Sequence, residues 1–423
     1  MSAETKGAEF ILSETCIGRM KMENHYLCNP ENCTGCGSCA NACPQASITM
    51  QENSEGFLYP VTNFEQCIQC GKCGKACHVI SDVEKREGTF YMCWNNDRKI
   101  LEQSSSGGTF SALAMTVINR NGVVYGAYQD QENNCVYHTS VRSAEKLNKL
   151  RLSKYSQSDM KTVCREICEL LKNDTPVLFC GTACQVAGLL SYLSLSSAQT
   201  KLGLLYTVDV LCHGVASQKT VNAFLKSKER LARKKIKRYY FRVKDRSVGW
   251  KSGGGTRMRL IYDDDTVFVA PMGADTFFLG FNNNLFLRES CYRCKYCGTN
   301  RISDFTIADY WGVPEETLPE GQTQFGVSVM TVNTDKAASY LPILHGLMHI
   351  EKIKPDIAVA NNRAFKKPND RPDERDAFFR MLDHYDYDAL IRKLLWKPYW
   401  KGMIKGVVGA ETIIKIKRII KRK

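Results

Sequence analysis

The sequence has no apolar run of the ~18 residues that a bilayer-spanning helix needs, so a protein that crosses a membrane as a helix is not expected. Its first twenty residues, Met1 to Met20, are polar and mixed in charge, without the apolar core of a secretory signal. Apart from the cysteine runs described below, no tandem repeat occurs, and no low-complexity tract. Cysteine, by contrast, is abundant, at 20 of 423 residues. In a short secreted chain that number would imply disulfides. Without a secretory signal, and with a spacing that asks for free thiolates, it implies metal ligation and a cytoplasmic location.

The spacing is specific. Cys33, Cys36, Cys39 and Cys43 form one C-x2-C-x2-C-x3-C run, followed at once by Pro44, and Cys67, Cys70, Cys73 and Cys77 form a second. This is the ligand pattern of a bacterial ferredoxin with two [4Fe–4S] clusters. A cubane needs one thiolate at each iron. A tight loop wraps three of them around one cube, and the fourth cysteine reaches the other. The expected sets are therefore Cys33, Cys36, Cys39 with Cys77, and Cys67, Cys70, Cys73 with Cys43. Gly35, Gly37, Gly71 and Gly74 let backbone N–H groups approach the sulfurs. One departure is visible: His78 follows Cys77 where the pattern has proline. Zinc and disulfides are the competing readings, and zinc rarely uses interlocked quartets.

A chain of this length needs a second, larger domain. Residues 1–27 read as a leader, 28–80 as the ferredoxin domain and 81–87 as a charged linker. Strand and helix segments then alternate over 88–380, the mark of an α/β domain. Helices are expected at 111–119, 160–171, 184–192 and from Lys219. Strands are expected at 177–180, 202–211 and 238–243, with a hairpin at 257–262 and 266–270. The remainder, 381–423, is a basic tail. The formal charge of +14 is local: Arg392 to Lys423 contains eleven Lys or Arg and one acid, Glu411. Nucleic-acid binding is therefore not expected. Ile413, Ile416 and Ile420 share one helical face, with Trp396, Tyr399 and Trp400 upstream, which suits an anionic membrane surface at the inner face of the cell. The competing reading is core packing of the aromatics with a frayed basic end. The basic run from Lys226 to Arg238 reads as a solvated helix face, or as a docking face for an acidic partner.

A third metal site is expected at Cys291, Cys294 and Cys297, again three thiols two residues apart. A fourth ligand must come from elsewhere, and Cys184 or Cys212 would supply it, each at the end of a strand. A third [4Fe–4S] cluster or a zinc ion would fit. Cys93, Cys135, Cys164, Cys168 and Cys180 read as ordinary core thiols. Ser104 to Phe110 (SSSGGTF) opens a helix, so its hydroxyls, Gly107 and Gly108 suit either an anion site or a plain N-cap.

Five ordered motifs then resemble one family: Ser105 to Gly108, Lys154-Tyr155-x-Gln157-Ser158, Gly181 to Gln185, Cys212-His213-Gly214, and Arg301 to Gly312. Together they look like the beta subunit of the hydrogenases and dehydrogenases that use the deazaflavin coenzyme F-420, a group that includes the plant reductase of 7-hydroxymethyl chlorophyll. The resemblance covers roughly Asn24 to Arg375. It implies an FAD-binding domain, with a cluster near the flavin. Ser105, Ser106, Gly107, Gly108 and Thr109 would meet the FAD phosphates, and Lys154, Gly181 and Thr182 would line the flavin pocket. It also implies the deazaflavin as a further cofactor. Ala183 stands where the family has proline, and Ala308 where it has glycine.

The expected function follows from those parts. Clusters carry single electrons and FAD exchanges two, so the chain reads as an iron–sulfur flavoprotein oxidoreductase served by a ferredoxin-like redox protein. His213 is the candidate proton donor, against the bland reading of a histidine satisfied by the backbone. Asp304 and Asp309 read as loop-orienting or turn acids, and Lys295 and Arg301 as shields for a cluster or phosphate. A non-catalytic electron-transfer subunit is the alternative, and a binding or sensing protein with structural clusters a third. No further cysteine pairs remain for a nickel site, so the chain alone is not expected to split hydrogen.

Overall fold

A computed structural model describes residues 27–244, 250, 256–270 and 275–400. The leader (all but residue 27) and the stripe of Ile413, Ile416 and Ile420 lie outside the described residues. Near the N-terminus, β1 (Ile48–Glu52) and β2 (Leu58–Thr62) pair as an antiparallel hairpin between the two cysteine runs. Each run closes on a short helix, Ser38–Ala42 and Lys72–Lys75. Both helices start from a glycine in the left-handed region, Gly37 at φ 72° and Gly71 at φ 68°. A side chain would strain either turn.

The rest of the chain is built on an eight-stranded mixed sheet. Its strands are β3 (Thr89–Asn95), β4 (Val123–Asp130), β5 (Cys135–Val141), β6 (Val177–Thr182) and β7 (Leu205–Val210). A separate three-stranded sheet follows, of β8 (Ile236–Lys244), β9 (Thr256–Tyr262) and β10 (Val267–Val269). The large sheet is completed by β11 (Phe305–Asp309), β12 (Ser328–Val332) and β13 (Met348–Lys352), in the order β13-β3-β12-β11-β7-β6-β4-β5. The inner strands β4, β6, β7 and β11 pair in parallel, and the flanking pairs are antiparallel.

Inner strands covered on both faces read as continuous apolar runs. Alternate residues go to opposite faces. Val123, Tyr125, Val177 and Phe179 pack under the Val163–Lys172 and Ala183–Leu193 helices. Val124 and Leu178 pack on the other face, against Leu113 and Val117 of the Thr109–Ile118 helix. The Val163–Lys172 helix shows why it folds there: Val163, Cys164, Ile167, Cys168 and Leu171 form one apolar stripe, and all are buried.

The α/β architecture expected from the sequence is observed, with differences at some boundaries. The strand expected over 202–211 begins only at Leu205, because 197–204 winds into a 3-10 turn. The basic run is not one helix face. Its helix, Gln218–Ala232, ends at Arg233 in the left-handed conformation, and β8 starts at Ile236. Within it Lys228, Arg230, Lys234, Lys235 and Lys237 all pair with carboxylates of the same chain, which weakens the docking-face reading. The described part of the basic tail is folded core: Tyr387, Leu390 and Ile391 of the Tyr387–Leu394 helix are fully buried. Trp396 and Trp400 remain exposed. No helix among the described residues is long and apolar enough to cross a membrane.

Candidate iron–sulfur and flavin site

The two quartets interleave in space. The Cys39 thiol lies within electrostatic reach of Cys33, Cys36 and Cys77. Cys43, Cys67, Cys70 and Cys73 line a small cavity of their own. Backbone N–H groups point at the sulfurs, among them Ser47 N at 3.3 Å from Cys43 Sγ, Gly35 N on Cys33 and Ser38 N on Cys36. Such donors stabilise thiolates bound to a cluster. The first quartet has a fifth neighbour that sequence spacing did not reveal: Cys28, whose thiol contacts Cys33 and Cys77.

Arg288 stands beside this first quartet. It is 1% exposed, donates from Nε to the Cys33 carbonyl at 2.8 Å, and stacks 4.0 Å from the Tyr59 ring centre. No carboxylate pairs with it among the described residues, and its Nη2 has no partner. A buried guanidinium requires a counter-charge, and an anionic cluster on Cys33 would provide one. Gln157 is tied in beside it, with Oε1 accepting from Arg288 Nη1 at 3.2 Å and from Leu58 N at 3.0 Å.

The third site gathers five thiols. Cys291, Cys294 and Cys297 come from one loop, and both Cys184 and Cys212 lie within reach of them. Cys184 sits just inside the Ala183–Leu193 helix, after the carboxyl end of β6, and Cys212 just past β7. That is where an α/β sheet places its sites. The helix start is set by a reciprocal cap between Thr182 and Gln185. Ala183 occupies the first helical position, which proline also favours, so that departure from the family pattern costs no structure. Ala308 lies within β11 and pairs regularly with Val329. Burial pushes the Cys184 thiol up to about 12 and raises that of Cys212 as well. Whichever of the two ligates a metal would have to release its proton on loading.

All five thiols open on a cavity of about 1130 Å³. Ser105, Ser106, Gly108, Thr109, Lys154, Gly181, Thr182 and His213 line it too. Gly107 does not. Its N–H is taken by Ser328 Oγ at 3.0 Å, and a Cβ there would fall 2.6 Å from the Cys93 carbonyl. Gly107 thus secures the loop to β12 rather than facing a ligand. The Ser106 hydroxyl is also occupied, donating to Val327 O at 3.0 Å. What remains for an anion is the amino end of the Thr109–Ile118 helix, entered through Gly108 at φ 76°. Lys154 completes the wall. Its Nζ donates to the carbonyls of Leu150 at 3.0 Å and Arg151 at 2.6 Å, no carboxylate among the described residues pairs with it, and burial pushes it down to about 7. Free helix-end N–H groups and a buried, acid-free lysine fit a bound diphosphate.

His213 is held as the bland reading described: its Nε2 meets Phe281 O at 3.2 Å. His138, not noticed in the sequence, lines the same cavity between Ser158 Oγ at 2.7 Å and Cys180 O at 3.2 Å, and burial lowers it to about 4. Asp304 and Asp309 are not turn acids. Asp304 accepts from Thr207 N and Oγ1, both at 2.9 Å, which ties β11 to β7. Asp309 forms a bidentate pair with buried Arg242, both contacts at 2.7 Å. Arg301 is buried in an ion pair with Asp209. Lys295 is partly exposed and pairs with Asp82. These partners are far apart in sequence and carry no local signal.

Residues 32–80 match the family described as 4Fe-4S dicluster domain. Residues 174–355 match the family described as the C terminus of the coenzyme F420 hydrogenase/dehydrogenase beta subunit. A solved structure of the F420-reducing [NiFe] hydrogenase complex from Methanosarcina barkeri aligns over 74% of this chain and 92% of its own, at 14% identity and a TM-score of 0.45. No curated protein matches the chain. The chain thus carries a match to a 4Fe-4S dicluster domain ahead of a match to the C terminus of the coenzyme F420 hydrogenase/dehydrogenase beta subunit.

Proposed function

We propose that the chain is an iron–sulfur flavoprotein oxidoreductase that links a one-electron redox partner to two-electron reduction of an organic substrate. The observation that carries this reading is the position of the third cysteine site. Its five thiols line the same cavity as Gly108, Thr109 and Lys154. Clusters on the cysteines would supply single electrons, and FAD in the cavity would supply two-electron chemistry. The chain's own residues then have separable roles. Gly108 and Thr109 present N–H groups to a diphosphate, and Lys154 provides its counter-charge. The Arg242–Asp309 pair stiffens the far wall, where Trp311 stacks on Trp250 at 5.0 Å. His138 and His213 are both kept neutral by burial, and His213, with Nε2 against the Phe281 carbonyl, fits the proton-donor role expected of it poorly.

A ferredoxin-like carrier is the partner we favour, since Cys70 of the second quartet is exposed. Exposed Trp396 and Trp400 support contact of the tail with an anionic membrane surface. Liposome binding that survives deletion of 411–423 would remove that idea. The main test is anaerobic purification followed by reduction with a low-potential donor. Bleaching of bound flavin, and turnover of a substrate by the chain alone, is expected. Flavin that stays oxidised while the clusters reduce would refute the reading. Reduction without turnover would favour an electron-transfer subunit that feeds a partner enzyme.

A further inference from the structure

Thr34, His78 and Tyr296 form an unbroken hydrogen-bonded chain across the boundary between the first and third cysteine sites. His78 Nε2 meets Thr34 Oγ1 at 3.0 Å, and His78 Nδ1 meets the Tyr296 hydroxyl at 2.5 Å. Each member is joined directly to candidate ligands: Thr34 follows Cys33, His78 follows Cys77, and Tyr296 lies between Cys294 and Cys297. His78 is 1% exposed and Tyr296 5%. Their rings stand 5.5 Å apart. The Tyr296 phenol has Cys36 and Cys77 of the first site and Cys184 and Cys294 of the third among its electrostatic neighbours. It occupies the space between them.

The two halves of the ferredoxin pattern differ at this point. Cys43 keeps its following proline, Pro44, and Cys77 has His78. Proline has no side-chain donor or acceptor. A histidine carries two ring nitrogens, so one imidazole at the end of the second cysteine run can bond Thr34 in the first run and Tyr296 in the third-site loop, in either neutral tautomer. The half that faces the third site is thus the half that departs from the pattern. Close packing of the same two sites is visible at Gly188, one turn along the helix from Cys184. A Cβ there would come within 2.7 Å of Cys36 Sγ.

We infer that the Thr34–His78–Tyr296 chain holds the third cysteine site at fixed spacing from the first and sets the electronic coupling between them, with Tyr296 as the spacer. This rests on the reading that both sites carry [4Fe–4S] clusters. With a [4Fe–4S] cluster held at each site, the step served would be the passage of one electron from the reduced cluster at one site to the oxidised cluster at the other. No bond forms or breaks, and the phenol proton stays in its hydrogen bond. Coupling along bonds and hydrogen bonds decays less steeply than across a gap, so His78 and Tyr296 act as positioning residues.

The test uses the full chain, reconstituted anaerobically, with iron and sulfide counted in every variant. Tyr296→Phe keeps the ring and removes the bond to His78. His78→Pro restores the residue of the repeating pattern and breaks the same bond from the other side. Both are expected to keep their iron. Both should weaken the spin–spin interaction in the EPR spectrum of the reduced protein. After flash photoreduction they should slow electron redistribution between the two sites relative to wild type. Unchanged spin coupling and unchanged redistribution in iron-replete variants would overturn the inference, as would an effect in one variant alone. A wild-type chain holding only about eight irons would remove the underlying reading, and the inference with it.

Discussion

On the proposed reading of the cavity as a flavin site, replacing Lys154 by methionine should abolish a pH dependence of flavin binding. Buried with no acid beside it among the described residues, Lys154 is pushed down to about 7. A neighbouring diphosphate would restore it toward the ordinary ~10.4. The diphosphate keeps its charge across pH 6–9, so only Lys154 need gain a proton on binding. In the free protein about nine-tenths of Lys154 is charged at pH 6 and about one-hundredth at pH 9. Affinity for FAD should therefore weaken roughly 90-fold over that interval, equal to about 2.7 kcal/mol. Near pH 8, binding should take up about one proton per flavin. Lys154→Met should bind with an affinity that does not vary with pH, no tighter than wild type at pH 9. Anaerobic calorimetry in two buffers of different ionisation enthalpy measures both quantities. Wild-type affinity that is flat from pH 6 to 9, or an unchanged slope in Lys154→Met, would refute the assignment. The same burial affects the flavin-free chain. The unfolded state holds the Lys154 proton between pH 7 and 10 and the folded state does not, so stability from this group rises with pH across that window and is lowest below pH 7.

Three further outcomes follow from the cysteine sites. Only one of Cys184→Ser and Cys212→Ser should reduce bound iron, by about four atoms per chain, because five thiols surround the third site and a cubane takes four; iron analysis of both variants decides which. Gly188→Ala should lower first-site iron content and stability despite a helix-propensity gain of up to ~1 kcal/mol, since its Cβ would meet Cys36 Sγ at 2.7 Å and Ser38 Oγ at 2.5 Å, and overpacking costs about 1–3 kcal/mol. An alanine variant that is more stable and keeps its iron would contradict the close packing. Cys70 is exposed, whereas Cys43 and Cys77 are buried, so brief exposure to air should first remove about four irons, from the Cys43, Cys67, Cys70 and Cys73 set. Mössbauer or EPR signals that decay together would count against it.

How much was legible in the sequence depended on distance along the chain. Cysteine quartets are local, with ligands two or three residues apart, and the strand–helix alternation has its own periodicity. Both can be seen without a fold. The third site was half visible: Cys291, Cys294 and Cys297 declare themselves by spacing, but Cys184 and Cys212 join them only because β6 and β7 are neighbours in the sheet. Cys28 carries no fixed spacing to Cys77 and was missed. Gly107 looked like part of a phosphate cradle because glycine suits close approach. The approach it permits is to Cys93 and Ser328, residues on β3 and β12 that no local pattern brings to it. His78 was noticed as a departure, but its meaning depended on Tyr296, 218 residues away. Asp309 likewise found its partner, Arg242, 67 residues upstream.

Iron, acid-labile sulfide and flavin counted per chain after anaerobic purification test the central claim most directly. About twelve irons, twelve sulfides and one FAD are expected, for three cubanes and one flavin beside them. About eight irons with no flavin would contradict the account, and would leave a two-cluster ferredoxin joined to a domain of different chemistry.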